Sequence, residues 1–122
     1  MKKIAIVVSQ FNKEISDRLL AGAVSALKDN GINHRECKLV EVPGAFEIPV
    51  TVAKLIDSGK YDGIVALGCV IKGETDHYDA ICDGVTYGIQ KVSIESRIPV
   101  MFGILMCEEK KYALARSLKM PR

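Results

Sequence analysis

The sequence predicts an α/β fold in which helices cover both faces of a four-stranded parallel sheet. Four short apolar runs, rich in β-branched residues, alternate along the chain with four segments whose apolar residues recur every three or four positions. Such runs are typical of strands buried on both faces, and the longer spacing is typical of amphipathic helices. Because strands and helices alternate with short connections, we expect the strands to pair in parallel.

The first strand and helix are predicted near the N-terminus. Residues 4–8 form an apolar run that indicates a buried strand. A helical stripe follows at intervals of four, made by Ile15, Leu19, Ala23 and Leu27. Asn30 and Gly31 then favour the end of that helix.

A weaker strand is predicted at residues 38–42, where the second unit begins. Pro43 and Gly44 turn the chain, and Pro49 suits the first turn of a helix, where its missing N–H is not needed. The next helical stripe consists of Ile48, Val52, Leu55 and Ile56. Ser58 and Gly59 are expected to end it.

The third unit contains the most distinctive residues of the chain. Residues 64–67 predict a buried strand, which Gly68 and Gly73 are expected to break. Thr75 or Asp76 can cap the helix that follows. The apolar stripe of that helix consists of Tyr78, Ile81, Cys82, Val85, Ile89 and Val92.

The fourth unit is predicted from residues 98–105, a strand, and residues 108–119, a helix. One side of the helix carries Tyr112, Ala115 and Leu118, and Pro121 is expected to end it. Together the four units predict a three-layer, flavodoxin-like sandwich with a four-stranded parallel sheet. We expect residues 1–122 to form one domain, since this length leaves no room for a second.

Composition argues against several classes of function. Seventeen basic and fifteen acidic residues are scattered along the chain, giving a net charge of +2, and there is no tryptophan. No basic block indicates nucleic acid or a membrane surface as a partner. The apolar run after Met1 is too short for a secretion signal, which favours a cytoplasmic protein.

The cysteines give no metal or disulfide pattern. Cys37, Cys69, Cys82 and Cys107 form no Cys-x-x-Cys pair, and the chain has only two histidines. No metal-ligand grouping can be assembled from such spacing, and free structural thiols are the simpler interpretation.

The carboxyl ends of the four predicted strands should border one pocket, because ligands of open α/β sheets bind at that edge. After the third strand, a turn leads into a helix N-terminus, whose N–H groups and partial positive charge favour an anion. Lys72 lies in that turn, and His77, which titrates near neutral pH, lies at the helix start. Phosphate binding with proton transfer is therefore the first functional hypothesis.

The four strand ends carry motifs that resemble the lumazine synthase family. They are Gln-Phe-Asn at residues 10–12, Val-Pro-Gly-Ala-Phe-Glu-Ile-Pro at 42–49, Leu-Gly-x-Val-Ile-x-Gly-x-Thr-x-His-Tyr-Asp at 67–79 and Pro-Val-x-Phe-Gly at 99–103. The match spans nearly the whole chain. The first turn has neither the acidic pair of a phospho-receiver nor the glycine pattern of a dinucleotide site.

The resemblance implies a transferase of riboflavin biosynthesis. That family condenses 5-amino-6-(D-ribitylamino)uracil with 3,4-dihydroxy-2-butanone 4-phosphate, giving 6,7-dimethyl-8-ribityllumazine, phosphate and water. It uses no cofactor or metal. The resemblance also implies a homopentamer with sites between subunits, which can assemble further into decamers or shells, and riboflavin synthase as a candidate partner.

The resemblance assigns the pyrimidine and ribityl side of the site to residues after the first two strands. Phe11 matches the aromatic residue that stacks on the pyrimidine, with Asn12 beside it; the alternative is a core phenylalanine. Gly44, Ala45 and Glu47 match the segment that binds the ribityl chain. Glu47 also suits a helix N-terminus, and the two roles are compatible. Phe46, which lies between them, is expected to belong to the core.

Residues after the third strand match the rest of that site. Val70 and Ile71 correspond to positions whose backbone faces the pyrimidine. Gly73, Glu74 and Thr75 correspond to the loop on the phosphate side, although Thr75 could be only a helix cap. Lys72 could contact ligand or lie in solvent.

His77 is the predicted proton carrier, since imine formation, phosphate loss and ring closure all move protons near neutral pH. A lone histidine is more often structural, but its place beside the anion turn favours catalysis. Phe102 and Arg116 match residues that the adjacent subunit contributes, against the pyrimidine and the phosphate respectively. Their alternatives are strand core and a solvated helix face.

Two departures from the family pattern qualify the resemblance. A threonine-rich turn is replaced by Leu105, Met106 and Cys107, and the chain ends at Arg122, before the family's C-terminal phosphate-binding lysine and final helix. These departures suggest an alternative function. The chain would then be a poorly active or inactive truncated homologue that acts as a lumazine-binding, flavin-binding or assembly protein.

Overall fold

Four strands and four α-helices alternate along residues 2–118, as the apolar pattern predicts. The computed structural model describes residues 2–118. Its helices and strands are β1 Ile4–Ser9, α1 Lys13–Asp29, β2 Lys38–Val42, α2 Ile48–Asp57, β3 Gly63–Ile71, α3 Tyr78–Ser96, β4 Val100–Cys107 and α4 Lys110–Ser117. The bounds of β2 agree with the sequence prediction at both ends.

All strand pairs of the sheet are parallel, in the order β2-β1-β3-β4. Val7 of β1 lies between Val40 of β2 and Ala66 of β3, and Leu67 of β3 lies beside Gly103 of β4. The chain runs outward from β1 to β2, and then crosses back to β3 and β4. A reversal of this kind opens a crevice beyond the carboxyl ends of the central strands.

The helices form two outer layers, which confirms the predicted three-layer sandwich. Helices α2 and α3 pack on one face of the sheet, where Ile48, Val52, Val85 and Ile89 belong to the same core as Val7. Helices α1 and α4 cover the other face, and their buried residues Ile15 and Ala113 contact Cys69, Ile71 and Cys107. Burying one apolar stripe of each helix against the sheet is what stabilises this arrangement.

Two helix ends follow the predicted signals. The N–H of Asn30 donates to the carbonyl oxygen of Ala26 at the end of α1, and Gly31 follows with φ of +81°. Helix α2 has Pro49 in its first turn and is followed by Gly59 with φ of +71°. Glycine adopts these left-handed conformations without a steric penalty.

The third strand does not break at Gly68, as the sequence predicted, but continues to Ile71. At Gly68 the strand passes close to its neighbours, because a Cβ atom there would lie 2.6 Å from Oγ of Ser9 and 3.3 Å from Cδ1 of Ile48. Glycine at this position therefore allows close packing rather than a turn.

The fourth strand and helix are also shifted from their predicted bounds. Strand β4 begins at Val100 and ends at Cys107, so Leu105, Met106 and Cys107 belong to the strand rather than to the turn expected there. Helix α4 is shorter than predicted at both ends. The predicted helix end at Lys119 and the stop at Pro121 lie outside the described residues.

Candidate active site

The carboxyl ends of the strands meet at one edge of the sheet, and hydrogen bonds join the turns that follow β1 and β2. The N–H of Gln10 donates to the carbonyl oxygen of Val42 at 2.8 Å, and the N–H of Phe11 donates to that of Pro43 at 3.1 Å. These bonds continue the parallel pairing for two residues beyond the sheet. They fix the backbone of the turn from which Phe11 projects.

A cavity of about 280 Å³ lies at this edge, between the turns after β1, β2 and β3. Eight of its lining residues were predicted from the sequence: Phe11, Gly44, Ala45, Glu47, Val70, Ile71, Glu74 and Thr75. Of the three other lining residues, Phe46 and Cys69 lie in turns that were expected to border the pocket but were assigned no ligand role, and Ile81 was not expected there. Ile81 had a usable signal, because its helical stripe places it in the first turn of α3, beside the predicted turn.

Two exposed aromatic side chains border the cavity. Phe11 is 58% exposed, so the alternative of a core phenylalanine is wrong and its ring is open to a ligand. Phe46 is 59% exposed, and its prediction as a core residue is also wrong. Its ring lies over Gly84 of α3, where a Cβ atom would be 2.8 Å from the ring. Offset stacking on exposed rings suits a flat heterocycle.

Glu47 holds the turn after β2 in shape. Its Oε1 atom accepts the N–H of Gly44 at 2.9 Å, and its carbonyl oxygen accepts the hydroxyl of Thr51 at 2.9 Å. The carboxylate lies just before α2, where the helix dipole favours negative charge. This confirms the structural role expected for Glu47 and leaves its carboxylate at the cavity wall.

A tight turn connects β3 to α3. Residues Lys72–Glu74 form a single 3₁₀ turn, and the N–H of Thr75 donates to the carbonyl oxygen of Lys72 at 3.4 Å. Oγ1 of Thr75 accepts the N–H of His77 at 3.1 Å, and His77 immediately precedes α3. The first-turn N–H groups of α3 begin here, and such groups favour an anion.

Asn12 connects the turn after β1 to the turn after β3. It is left-handed, with φ of 62° and ψ of 54°, and its carbonyl oxygen accepts the N–H groups of Ile15 and Ser16. Of the two orientations of its side-chain amide, one lets Nδ2 donate to the carboxylate of Glu74. In that orientation Nδ2 lies 2.7 and 3.2 Å from the two carboxylate oxygens. Asn12 is thus a link between two walls of the cavity.

His77, Gly73 and Lys72 lie at the rim rather than in the cavity wall. All three are exposed, and they precede or begin α3 beside Thr75. The exposure of Lys72 is compatible with both of its predicted roles, a ligand contact and a lysine in solvent. The backbone of His77 is tied to this turn through its bond to Thr75.

Arg116 reaches the same edge of the sheet, from α4. Its Nη1 atom donates to Sγ of Cys107 at 3.3 Å, and its guanidinium lies over the ring of Tyr112 at 6.0 Å. Cys107 pairs with Ile71 at the carboxyl ends of β4 and β3. Arg116 therefore lies close to the cavity without belonging to its described lining.

Phe102 is not brought to this cavity within the chain. It lies near the start of β4, paired with Ala66, and is 45% exposed. Five residues separate it from Cys107, a distance of roughly 16 Å along a strand. Its side chain is available to a different surface, so the alternative of plain strand core is wrong.

Burial favours the protonated form of two thiols near the site, Cys69 and Cys82, because it raises the pKa of each. Burial raises the pKa of Cys69 to about 12, with Cys107 and Glu74 adding to the effect. Burial also raises the pKa of Cys82 and that of the Tyr78 phenol beside it. A protonated thiol is a poor nucleophile, so Cys69, which lines the cavity, shapes its wall rather than attacks a substrate.

Neither a metal-binding cluster nor a membrane-spanning helix is found in the described part of the chain. Within residues 2–118, no three His, Cys, Asp or Glu side chains are grouped so that they could hold an ion. Every helix in that range is too short or too polar to traverse a bilayer. The four cysteines are free thiols.

Comparison with known proteins gives a consistent result. The family model of 6,7-dimethyl-8-ribityllumazine synthase matches residues 1–120. A protein named 6,7-dimethyl-8-ribityllumazine synthase, from Pediococcus pentosaceus, is 47% identical over 115 residues, which cover 94% of this chain and 74% of that relative. The motifs at the strand ends, the parallel sheet and the extent of the match agree: the chain belongs to the 6,7-dimethyl-8-ribityllumazine synthase family.

Proposed function

We propose that the chain acts in riboflavin biosynthesis by condensing 5-amino-6-(D-ribitylamino)uracil with 3,4-dihydroxy-2-butanone 4-phosphate. The products are 6,7-dimethyl-8-ribityllumazine, phosphate and water. One observation carries the proposal beyond family membership. One cavity is bordered by an exposed aromatic ring, a carboxylate and the start of a helix. These features suit the flat pyrimidine, the ribityl hydroxyls and the phosphate of the two substrates, respectively.

The pyrimidine would bind between Phe11 and the end of β3. The ring of Phe11 offers a stacking face, and the backbone of Val70 and Ile71 lines the cavity opposite the first turn. The ribityl chain would extend along Gly44, Ala45 and Glu47. There the carboxylate of Glu47 and nearby backbone groups can bond to its hydroxyls.

The phosphate would bind at the turn that precedes α3. Gly73 permits a close backbone approach, and the hydroxyl of Thr75 keeps its own hydrogen for donation, because it acts as acceptor toward His77. Glu74 belongs to this turn but carries negative charge, so its contribution cannot be a direct attraction to phosphate. Its role would be structural, through the bond from the side chain of Asn12.

His77 would carry protons for the reaction. Attack of the pyrimidine amine on the ketone gives an imine, and loss of phosphate and ring closure follow. Each step moves a proton between carbon, nitrogen or oxygen. A histidine at the helix start, exposed beside the phosphate turn, is well suited to accept and return these protons.

A second subunit would complete the site. Phe102 is exposed on β4 but lies far along the strand from the cavity of its own chain, as expected if it serves a neighbour. Arg116 would contribute a forked contact to the phosphate bound by an adjacent subunit. Several other large apolar side chains are exposed and favour an interface: Val50, Tyr87, Ile94 and Met101. We propose a homopentamer in the cytoplasm, with riboflavin synthase as a candidate partner.

Product formation tests the proposal directly. The purified 122-residue chain is incubated with both substrates, and the fluorescence of the lumazine product is followed with time. We expect steady product formation that requires both substrates. Binding of the pyrimidine without turnover would instead support a ligand-binding or assembly protein. Sedimentation of the same sample measures the oligomer.

A further inference from the structure

Glu74 presents a difficulty for a phosphate turn, because it introduces a carboxylate where an anion should bind. The structure contains a partner for that charge. With its amide directed at Glu74, Asn12 places Nδ2 2.7 Å from one carboxylate oxygen and 3.2 Å from the other. A hydrogen bond to an ionised group is stronger than a neutral one and orients both partners.

The two residues belong to different turns at the cavity, Asn12 to the turn after β1 and Glu74 to the turn after β3. Asn12 follows Phe11 directly, and the N–H of Phe11 is held by the carbonyl oxygen of Pro43. Glu74 ends the 3₁₀ turn that follows Ile71. A bond between their side chains therefore fixes the separation between the ring of Phe11 and the backbone at the end of β3.

Asn12 is also suited to this role by its backbone. Its φ of 62° is left-handed, a conformation that asparagine and aspartate tolerate better than other residues with a side chain. Its carbonyl oxygen accepts two N–H groups from the first turn of α1. The side chain is thereby presented from a backbone anchored to α1.

We propose that Asn12 is a positioning residue: its hydrogen bond to Glu74 sets the width of the slot that receives the pyrimidine ring. The inference rests on the proposed function, in which that ring stacks on Phe11. Its consequence is specific. Weakening the bond should raise the KM for the pyrimidine substrate while leaving kcat nearly unchanged, because the groups that move protons are not displaced.

Exchanging the amide of Asn12 and the carboxylate of Glu74 tests this inference. Asn12→Asp keeps the left-handed backbone accessible but sets two carboxylates against each other. Glu74→Gln keeps a neutral hydrogen bond from Asn12. The double variant N12D/E74Q restores a charged bond with donor and acceptor reversed, since the amide of the new glutamine can donate to the new aspartate.

We expect N12D to raise the KM for 5-amino-6-(D-ribitylamino)uracil about tenfold, a typical coupling for contacting residues, and to change kcat less than about threefold. E74Q should have a smaller effect on KM. N12D/E74Q should return KM to within about threefold of the wild-type value. Thermal unfolding of each variant checks that the fold is retained.

A charge-matched control separates the bond from general electrostatics. Glu14, exposed in the first turn of α1, lies near Asn12 in sequence and is paired with Arg18 at 3.4 Å. N12D/E14Q removes one nearby negative charge but leaves the two facing carboxylates, and it should keep the raised KM of N12D. Equal rescue by E14Q and E74Q would overturn the inference, as would additive effects of N12D and E74Q.

The two proposals can fail separately. A wild-type chain that makes product while N12D/E74Q shows no rescue refutes the positioning role alone. If the wild type binds the pyrimidine without turnover, the same cycle is measured on the dissociation constant, and rescue there supports the slot. A wild type that neither binds the pyrimidine nor makes product refutes the proposed function, and the substrate role of Asn12 with it.

Discussion

Oγ1 of Thr75 accepts the backbone N–H of His77 at 3.1 Å, which links the proposed phosphate turn to the residue that precedes α3. The hydroxyl uses a lone pair in this bond and keeps its hydrogen. The same side chain can therefore order the helix start and donate to a ligand. The predicted helix cap at Thr75 or Asp76 is wrong, because His77 occupies the N-cap position and no side chain caps α3; Thr75 instead orders the residue before the helix.

Thr75→Val should weaken both roles, because valine has the same shape and no hydroxyl. We expect a loss of about 1 kcal/mol in unfolding free energy, as for other lost helix-start acceptors, and a raised KM for the phosphate-bearing substrate. Denaturant unfolding and steady-state kinetics measure the two effects. Thr75→Ser keeps the hydroxyl and should stay near the wild type in both. A serine variant as impaired as the valine variant would show that shape, not bonding, matters.

His77→Ala should lower kcat by something between ten- and a thousandfold, the range for general acid-base groups. The side chain is exposed, so the unfolding free energy should change by less than about 0.5 kcal/mol. Rates at saturating concentrations of both substrates give kcat, and denaturant unfolding gives stability. An unchanged kcat would remove His77 from the mechanism, whatever happens to KM.

The strand ends of the site could be predicted from sequence because local signals determine them. Apolar runs followed by glycine, proline and polar residues place the turns after β1 and β2 closely, and those turns carry Phe11 and Glu47. The course of β3 through Gly68 could not be predicted this way. A glycine there is required by Ser9 and Ile48, which approach from other elements and are adjacent only in the folded chain.

Side-chain contacts across turns were likewise beyond the sequence. The bond between Asn12 and Glu74 joins residues 62 positions apart, and its existence depends on the crossover that brings β3 beside β1. Phe46 packs part of its ring over Gly84 of α3 and is otherwise exposed, an arrangement that exists only in the folded chain. Phe46 was predicted to lie in the core from its hydrophobic character alone. A short turn has no periodicity that could show whether another element covers the side chain.

Arg116→Ala should raise the KM for the phosphate-bearing substrate about tenfold or more, through loss of a charged, forked hydrogen-bond donor. Arg116→Lys should recover only part of this, since a lysine offers a point charge without the fork. Initial rates at varied concentrations of that substrate give the comparison.

Lys111→Ala is the matched control for Arg116. It removes the same charge from the same helix, and both cations lie over the ring of Tyr112, Lys111 at 5.2 Å and Arg116 at 6.0 Å. We expect Lys111→Ala to leave KM within about twofold of the wild type, as for surface charges that bind no ligand. If the two alanine variants behave alike, long-range charge rather than contact explains the effect of Arg116.

The buried thiol of Cys69 should make the folded chain less stable at alkaline pH. Its pKa rises from 9.0 to about 12 on folding, mainly through burial. Above pH 9 the unfolded chain therefore loses this proton while the folded chain keeps it, and the unfolding free energy falls as pH rises toward 12. Denaturant midpoints are measured between pH 8 and 11, the range in which ordinary thiols titrate. With rising pH they should fall less steeply in Cys69→Ala than in the wild type.

The other groups whose pKa is raised, Cys37, Tyr78 and Cys82, are present in both proteins, so the difference in slope isolates Cys69. Alkylation gives a second check. Iodoacetamide at pH 9 should label Cys69 only after denaturation, because the folded thiol is both buried and protonated. Equal slopes together with rapid labelling of native Cys69 would contradict the assigned burial and pKa.

Two glycine-to-alanine changes should act in opposite directions. In Gly68→Ala the new Cβ would lie 2.6 Å from Oγ of Ser9 and 3.3 Å from Cδ1 of Ile48, in the middle of the sheet. We expect the unfolding free energy to fall by about 1–3 kcal/mol, typical of an overpacked core.

Gly22 lies within α1, and a Cβ there meets nothing within 4 Å. Gly22→Ala should therefore gain about 0.5–1 kcal/mol from helix propensity. Denaturant unfolding at one fixed protein concentration measures both, because assembly makes stability depend on concentration. A stable Gly68→Ala protein would mean that β1 and α2 can move apart at no cost, and would contradict the close packing found around Gly68.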